Sequence, residues 1–169
     1  AILYFCRRVK AYTHGDRLTG AFYGYVGEIM NVDYGHHALG KVLQSPDIDF
    51  LASPNSYFGC RAKGEDWPYM APVDSARLHG KLWFVESDTR THLTRPMKET
   101  LPQCAPDNTL YENGVWAGPE TKELSLALLK KGIARVLTGR TGTWWFDMWG
   151  GWFDAPEYRE LLQKAEGWI

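Results

Sequence analysis

The chain has 169 residues, of which 44% are hydrophobic and 23% are charged, a composition typical of a folded domain and too apolar for a disordered chain. Its 19 Lys and Arg residues are balanced by 20 Asp and Glu residues, and no basic stripe is present, so no nucleic-acid partner is expected. No uncharged apolar run approaches the roughly 18–20 residues of a membrane span, so no membrane partner is expected either.

Hydrophobic periodicity and the positions of Gly and Pro predict an alternation of helices and strands. In chain order the predicted elements are a helix over 1–12, a strand over 20–28, a helix over 36–43, a strand over 48–52, a loop over 55–80, a strand over 81–86, a loop over 87–118, a helix over 119–139, a strand over 142–147 and a helix from 156. The helix over 119–139 is the clearest, because apolar residues recur in it at helical spacing, namely Leu126, Leu129, Ile133, Val136 and Leu137. A capping pattern that begins at Asp154 precedes the last helix.

The cysteines Cys6, Cys60 and Cys104 are widely spaced and form no CxxC pair. No zinc site is therefore expected, and free thiols favour a reducing, cytoplasmic location. The sequence has no signal-peptide pattern. It opens at Ala1 within a predicted helix, which suggests a piece of a longer sequence.

Alternation of this kind predicts parallel strands joined by right-handed crossovers. Four βα units are half of a (β/α)8 TIM barrel, which typically needs about 250 residues. We therefore expect residues 1–169 to form a single half-barrel domain. Because a half-barrel exposes two sheet edges, we expect a second copy of the chain to complete the barrel as a homodimer. An open flavodoxin-like sheet is the alternative, although the chain has no GxGxxG or GxxxxGK phosphate loop.

Carboxylates follow three of the predicted strands, where a barrel builds its active site. Glu28, Glu86 and Asp147 end these strands, and Asp88 follows Glu86 closely. Paired carboxylates catalyse glycoside hydrolysis, in which one attacks or activates water and the other protonates the leaving oxygen. The pattern therefore predicts a glycosidase, which needs no cofactor and no metal.

Aromatic and polar residues near the same strand ends are candidates for sugar binding, since aromatic rings stack on the C–H face of a sugar. Trp145 and Trp149 are aromatic candidates, although packing in the core is the alternative for each. Arg61 and Asp88 are polar candidates. An Asp88–Arg90 ion pair that only holds the loop is the alternative for Asp88.

Four segments also resemble the C-terminal part of a retaining, β-galactosidase-like glycoside hydrolase barrel of clan A, near glycoside hydrolase family 42. They are FYGYVGE, GHHALGKVLQSPDIDFLASPNSYFGCRAKGE, DSARLHGKLWFVESDTRTHL and GTWWFDMWGGWFDAPE. The resemblance runs from Gly20 to Glu157 and implies barrel strands five to eight. It also implies that Glu86 is the nucleophile, that Tyr57 lies near it and that Trp145 lies near the sugar platform. The acid/base Glu of the clan lies on strand four, which this chain lacks.

We therefore expect hydrolysis of small β-linked sugars, β-galactosides or β-glucosides, by a homodimer. Asp147 or Glu28, from the same chain or its partner, is expected to be the acid/base. The distance between the two catalytic carboxyl groups decides the stereochemistry of hydrolysis. A distance of about 5–5.5 Å gives retention, and one of about 6.5–9.5 Å gives inversion. The alternative is a catalytically incomplete barrel fragment that binds sugars or is inert.

Overall fold

The structure is a computed structural model that describes residues 1–25, 28, 32–58, 61–108, 112 and 114–169. The helices are α1 (Ile2–Tyr12), α2 (Leu39–Gln44), α3 (Val73–Leu78), α4 (Met97–Thr100), α5 (Lys122–Gly139) and α6 (Pro156–Glu166). The strands are β1 (Gly20–Phe22), β2 (Phe50–Pro54), β3 (Leu82–Ser87) and β4 (Gly142–Trp145). Short 3-10 helices cover Val32–Tyr34 and Gly114–Trp116.

The strands form one all-parallel sheet in the order β1-β2-β3-β4. Leu51 of β2 lies opposite Ala21 of β1 and Trp83 of β3, and Pro54 lies opposite Glu86. Strands that are consecutive in the chain are therefore neighbours in the sheet. The predicted α/β class with four parallel strands is confirmed.

Two glycines open space for aromatic rings on the sheet. The rings of Phe50 and Phe84 meet edge to face with their centroids 5.3 Å apart. A Cβ at Gly20 would overlap the Phe50 ring, and one at Gly142 would overlap the Phe84 ring. The absence of a side chain at these positions therefore lets the two rings pack over β1 and β4.

Several predicted boundaries were wrong. β1 ends at Phe22, because the hydroxyl of the buried Tyr23 donates to the Gly35 carbonyl and accepts from the Ala38 amide, which fixes a turn there. Of the remaining predicted strand, residues 26 and 27 lie outside the described residues. α2 begins at Leu39 instead of residue 36, since His36 stacks on the Tyr23 ring at 4.6 Å.

The two predicted loops contain short helices. α3 lies within residues 55–80, and α4 lies within residues 87–118. Neither helix is long enough for apolar residues to recur at helical spacing, so hydrophobic periodicity did not predict them. The N-cap of α6 is Ala155, not Asp154, because the Asp154 carboxylate pairs with Arg159.

The chain groups into two compact units. The first comprises residues 1–56, 68–86 and 141–144, and contains nearly all of the sheet with α1, α2 and α3. The second comprises residues 57–67, 87–140 and 145–169, and contains α4, α5 and α6. That residues 1–169 form a single domain stays a prediction.

The second unit has its own core between α5 and α6. The side chain of Thr121 caps α5 by accepting from the Leu124 amide at 3.2 Å. The buried residues of this core are Leu129, Ile133, Tyr158, Leu161 and Ala165. Of the predicted apolar stripe of α5, Leu129, Ile133 and Val136 are buried and Leu126 packs against this core, whereas Leu137 is exposed. None of the helices in the described part of the chain is long and apolar enough to cross a membrane.

Candidate functional site

The second unit contains a cavity with a volume of about 410 Å³, which is within the range of about 300–1,000 Å³ for small-ligand sites. Its charged and polar walls come from Arg61, Lys63, Thr89 and Arg90. Its aromatic and aliphatic walls come from Tyr57, Trp67, Val115, Pro119, Leu124 and Leu128. The lining therefore suits a ligand with both an apolar face and polar or charged groups.

A buried carboxylate joins two arginines beside this cavity. Oδ1 of Asp88 lies 2.6 Å from Nη1 of Arg61, and Oδ2 lies 2.8 Å from Nη1 of Arg90. Both the Asp88 and the Arg90 side chains are 2% exposed, and Arg61 is also buried. The predicted Asp88–Arg90 pair is confirmed, whereas the place of Arg61 on the second oxygen was not predicted. The shared carboxylate orients both guanidinium groups.

Three tryptophans surround the guanidinium of Arg90. Its central carbon lies 4.5 Å from the Trp152 ring centroid, 4.6 Å from that of Trp116 and 5.5 Å from that of Trp149. Burial lowers the pKa of Arg90, and Asp88 acts in the opposite direction. The rings stabilise the cation in this desolvated position by cation–π attraction.

Trp149 is itself largely buried, with 8% of its surface exposed. Its ring packs edge to face on Trp152 at 4.8 Å, and its Nε1 donates to the Arg95 carbonyl at 2.8 Å. Trp145, the last residue of β4, packs against the core between α5 and α6. Both positions fit the packing alternative, and sugar contact by these rings stays a prediction.

Tyr57 and Arg61 are the two predicted binding residues that line the cavity directly. The Arg61 guanidinium lies 4.7 Å from the Tyr57 ring centroid, and the Tyr57 ring lies 5.7 Å from that of Trp116. Trp67 forms another wall of the cavity, and the Lys131 ammonium lies 4.7 Å from its ring centroid. The structure therefore brings Tyr57, Arg61 and Asp88 together.

Glu86 belongs to the first unit, at the C-terminal end of β3, where the sequence placed it. Its side chain is partly buried, and the flanking Val85 and Ser87 are buried. Glu28 is described as part of a turn, with both sequence neighbours outside the described residues. The prediction that Glu28 ends β1 is therefore wrong, because β1 ends at Phe22.

Asp147 lies beyond the end of β4, in the second unit. Oδ1 accepts from the Gly150 amide at 3.0 Å, and Oδ2 accepts from the Trp152 amide at 3.1 Å. Burial raises the pKa of Asp147, while the amides of Trp152 and Gly150 act in the opposite direction. The carboxylate thus anchors a turn in which Gly150 and Gly151 have φ values of +88° and +85°.

Sequence reasoning missed Trp116 and Trp67 as site residues. Trp116 lies in a predicted loop, where no periodic pattern relates it to Arg90. Asp88 and Arg90 did carry a signal, since they are opposite charges two residues apart, for which an ion pair within the loop was the alternative to sugar binding. Cys6 is buried and Cys104 exposed, both as free thiols, and Cys60 lies outside the described residues. Within the described ranges, no cluster of three or more His, Cys, Asp or Glu side chains could hold a metal ion.

Comparisons of the chain with protein-family models, with curated proteins and with solved structures found no match. The second unit contains a cavity with cationic and aromatic walls, and the first contains a carboxylate at the end of a parallel strand.

Proposed function

We propose that the chain is a carboxylate-dependent glycoside hydrolase that acts on small β-linked sugars, with Glu86 as the nucleophile. The observation that carries the proposal is the position of Glu86 at the C-terminal end of β3 in an all-parallel sheet. Barrel enzymes take their catalytic residues from this end of the strands. The resemblance of GKLWFVESDTRTH to the clan A segment that carries the nucleophile also supports the proposal.

Asp147 is our first candidate for the acid/base, from the same chain or from a partner. A general acid must be protonated near the working pH, and the raised pKa of Asp147 is in the required direction. Glu28 is the second candidate. Hydrolysis by two carboxylates would proceed through an oxocarbenium-like transition state, which the negative charge of Glu86 would stabilise.

The cavity supplies the proposed sugar-binding groups. Tyr57 and Arg61 would contact the sugar, and Asp88 would keep Arg61 in place through its 2.6 Å ion pair. Trp149 would act through Arg90, whose guanidinium it contacts. Trp145 would be the sugar platform that the resemblance implies.

We further propose that the four strands are half of a TIM barrel and that a second copy completes it. The parallel sheet with sequential strand order is compatible with this arrangement. A solution mass near twice 19.3 kDa, measured by light scattering behind a sizing column, is the expected result. A monomer would contradict closure of the barrel by two copies.

The catalytic test compares the unmodified chain with Glu86→Gln on aryl β-galactosides and β-glucosides. We expect the rate to fall at least about 100-fold, the lower end of what one positioned catalytic group contributes. Glu99→Gln is the control, because Glu99 is exposed and pairs only with Arg95 among the contacts described. Full activity in Glu86→Gln would falsify the proposed nucleophile.

One observation favours a second candidate function, sugar binding without turnover. The described residues that line the cavity include no Asp or Glu. If the chain binds galactose in a calorimeter and hydrolyses no aryl glycoside, this second function replaces the first.

A further inference from the structure

The cavity of the second unit has one charged wall residue that is exposed to solvent. Among the described residues that line the cavity, Arg61, Lys63 and Arg90 are charged, and all three are cationic. Arg61 and Arg90 are buried, whereas Lys63 is exposed. Glu65 and Asp66, the nearest acidic residues along the chain from Lys63, do not line the cavity. An anionic group of a ligand can therefore reach the Lys63 ammonium.

The buried charges beside the cavity act in the same direction as Lys63. Asp88 is one carboxylate that contacts two guanidinium groups, those of Arg61 and Arg90, so these three groups together carry a net charge of +1. The Lys131 ammonium lies over the ring of Trp67, which forms another wall. Buried charges are screened by salt less than exposed ones. The cluster therefore attracts an anion at the cavity without direct contact.

The uncharged walls of the cavity are mostly apolar. Leu124 and Leu128 are four residues apart on α5, so they lie side by side on one face of this helix. Val115 lines the cavity from the segment that precedes α5. The other uncharged wall residues that are described have apolar side chains or are glycines, apart from Tyr57 and Thr89. Walls of this kind stabilise a ligand by the burial of its apolar surface.

We propose that the cavity binds an apolar molecule with one carboxylate, which lies at Lys63 while the apolar body lies against Leu124 and Leu128. A single negative charge matches the single exposed cation of the lining. Because a carboxylate at Lys63 stays partly hydrated, only a small desolvation cost opposes its binding. Aryl and alkyl carboxylates share this chemistry. The inference goes beyond the proposed function, because it concerns walls that the proposed sugar contacts do not use and it requires no hydrolysis.

NMR titrations of the full chain test the inference, because they report both the affinity and the location of a ligand. The aryl probe is 3-phenylpropionate and the alkyl probe is octanoate. The uncharged amide of each acid keeps its shape without the charge, and acetate keeps the charge without the apolar body. We expect the better acid to bind about tenfold or more tightly than acetate, and about three- to tenfold more tightly than its own amide. The shifted backbone resonances should include those of Leu124 and Leu128.

Lys63→Gln shows whether the carboxylate lies at Lys63. The variant removes the exposed cation, so the affinity for the acid should fall about two- to fivefold and become less dependent on salt. The affinity for the uncharged amide should stay the same. Lys130→Gln is the control, because it makes the same charge change at an exposed position of α5 outside the cavity lining.

Leu124→Gln shows whether the apolar body lies against α5. The variant makes one wall polar, so the affinities for the acid and for its amide should both fall about threefold or more. Gln at this position follows the N-cap Thr121 by three residues and completes a capping box, which retains the start of α5. Leu137→Gln is the control, because Leu137 is an exposed residue of α5 outside the lining.

The inference is overturned if neither acid binds, or if acetate or the amides bind as tightly as the acids. An unchanged acid affinity in Lys63→Gln or in Leu124→Gln also overturns it. If Leu124→Gln does not fold, Lys63→Gln decides the question, since only the charged ligand responds to it. The result is separate from the proposed function. Acid binding without glycoside hydrolysis leaves the inference standing alone, whereas hydrolysis without acid binding leaves only the hydrolase proposal.

Discussion

Oδ2 of Asp88 lies 2.8 Å from Nη1 of Arg90, and both side chains are 2% exposed. The desolvation of two opposite charges is compensated here by their contact and by a second arginine, Arg61, on the other oxygen. Because Asp88 immediately follows β3, this contact fixes the start of the loop that lines the cavity. The stability of the second unit should therefore depend strongly on this carboxylate.

Asp88→Asn tests this dependence. The variant leaves the buried Arg90 and Arg61 without the carboxylate, and the loss of one partner of a buried pair costs about 3–5 kcal/mol. We expect a decrease of that size in the free energy of unfolding, measured by urea denaturation. The control is Asp74→Asn, whose carboxylate is 93% exposed and pairs with Arg77 at 3.4 Å. It should change the stability by about 0.5 kcal/mol or less. Equal effects of the two variants would contradict the inferred role of Asp88.

Gly118→Ala tests a close backbone approach in the second unit. A Cβ at position 118 would collide with the carbonyl oxygen of Thr91, and a backbone atom cannot move aside as a side chain can. We expect a loss of about 1–3 kcal/mol in thermal or urea unfolding. Gly132→Ala is the control, since its Cβ would meet Trp67 at an ordinary 3.6 Å within α5. It should gain about 0.5–1 kcal/mol. A neutral Gly118→Ala would show that the 91–118 contact is looser than described.

Asp49→Asn tests a pH-dependent contact in the first unit. Burial acts to raise the pKa of Asp49, but hydrogen bonds from Lys10 and Thr19 outweigh it, so the pKa is lowered. Lys10 Nζ lies 2.5 Å from Oδ2, and the Thr19 amide lies 2.7 Å from the same atom. A lowered pKa in the folded state contributes stability that is complete above the unfolded value of about 3.9 and is lost as the pH falls.

We therefore expect the unmodified chain to lose stability from about pH 5 downward, with a smaller slope in Asp49→Asn. Urea denaturation from pH 3 to pH 7 measures this difference. Asp16→Asn, at an exposed position of the same unit, should keep the slope of the unmodified chain. An unchanged slope in Asp49→Asn would exclude Asp49 as its source.

The sequence could predict the elements whose causes are local. The stripe through Leu129 and Ile133 indicated α5, and the spacing of Asp88 and Arg90 indicated their ion pair. Contacts between residues far apart in the chain gave no such signal. Trp116 reaches Arg90 across 26 sequence positions, and Arg61 reaches Asp88 across 27. The cavity depends on these distant contacts, so its outline was not predictable from periodicity or spacing.

Lys131 provides a final test, because it connects α5 to the segment that carries Arg61. Its ammonium donates to the carbonyl oxygens of Ala62 at 2.9 Å and Glu65 at 2.8 Å, and lies over the Trp67 ring. Lys131→Met keeps most of the apolar stem and removes the charged donors. We expect a loss of about 1 kcal/mol, the contribution of a typical hydrogen bond, because Lys131 is partly exposed to solvent.

The same contacts oppose local opening of the segment, which trypsin reports. Trypsin cleavage after Lys63 is measured under native conditions, with mass spectrometry of the products. It should become faster in Lys131→Met, because the contacts to the carbonyl groups on both sides of Lys63 are lost. Lys130→Met is the matched control, since it removes the same charge from an exposed position of α5. Equal cleavage rates in the two variants would mean that the Lys131 contacts do not hold this wall of the cavity.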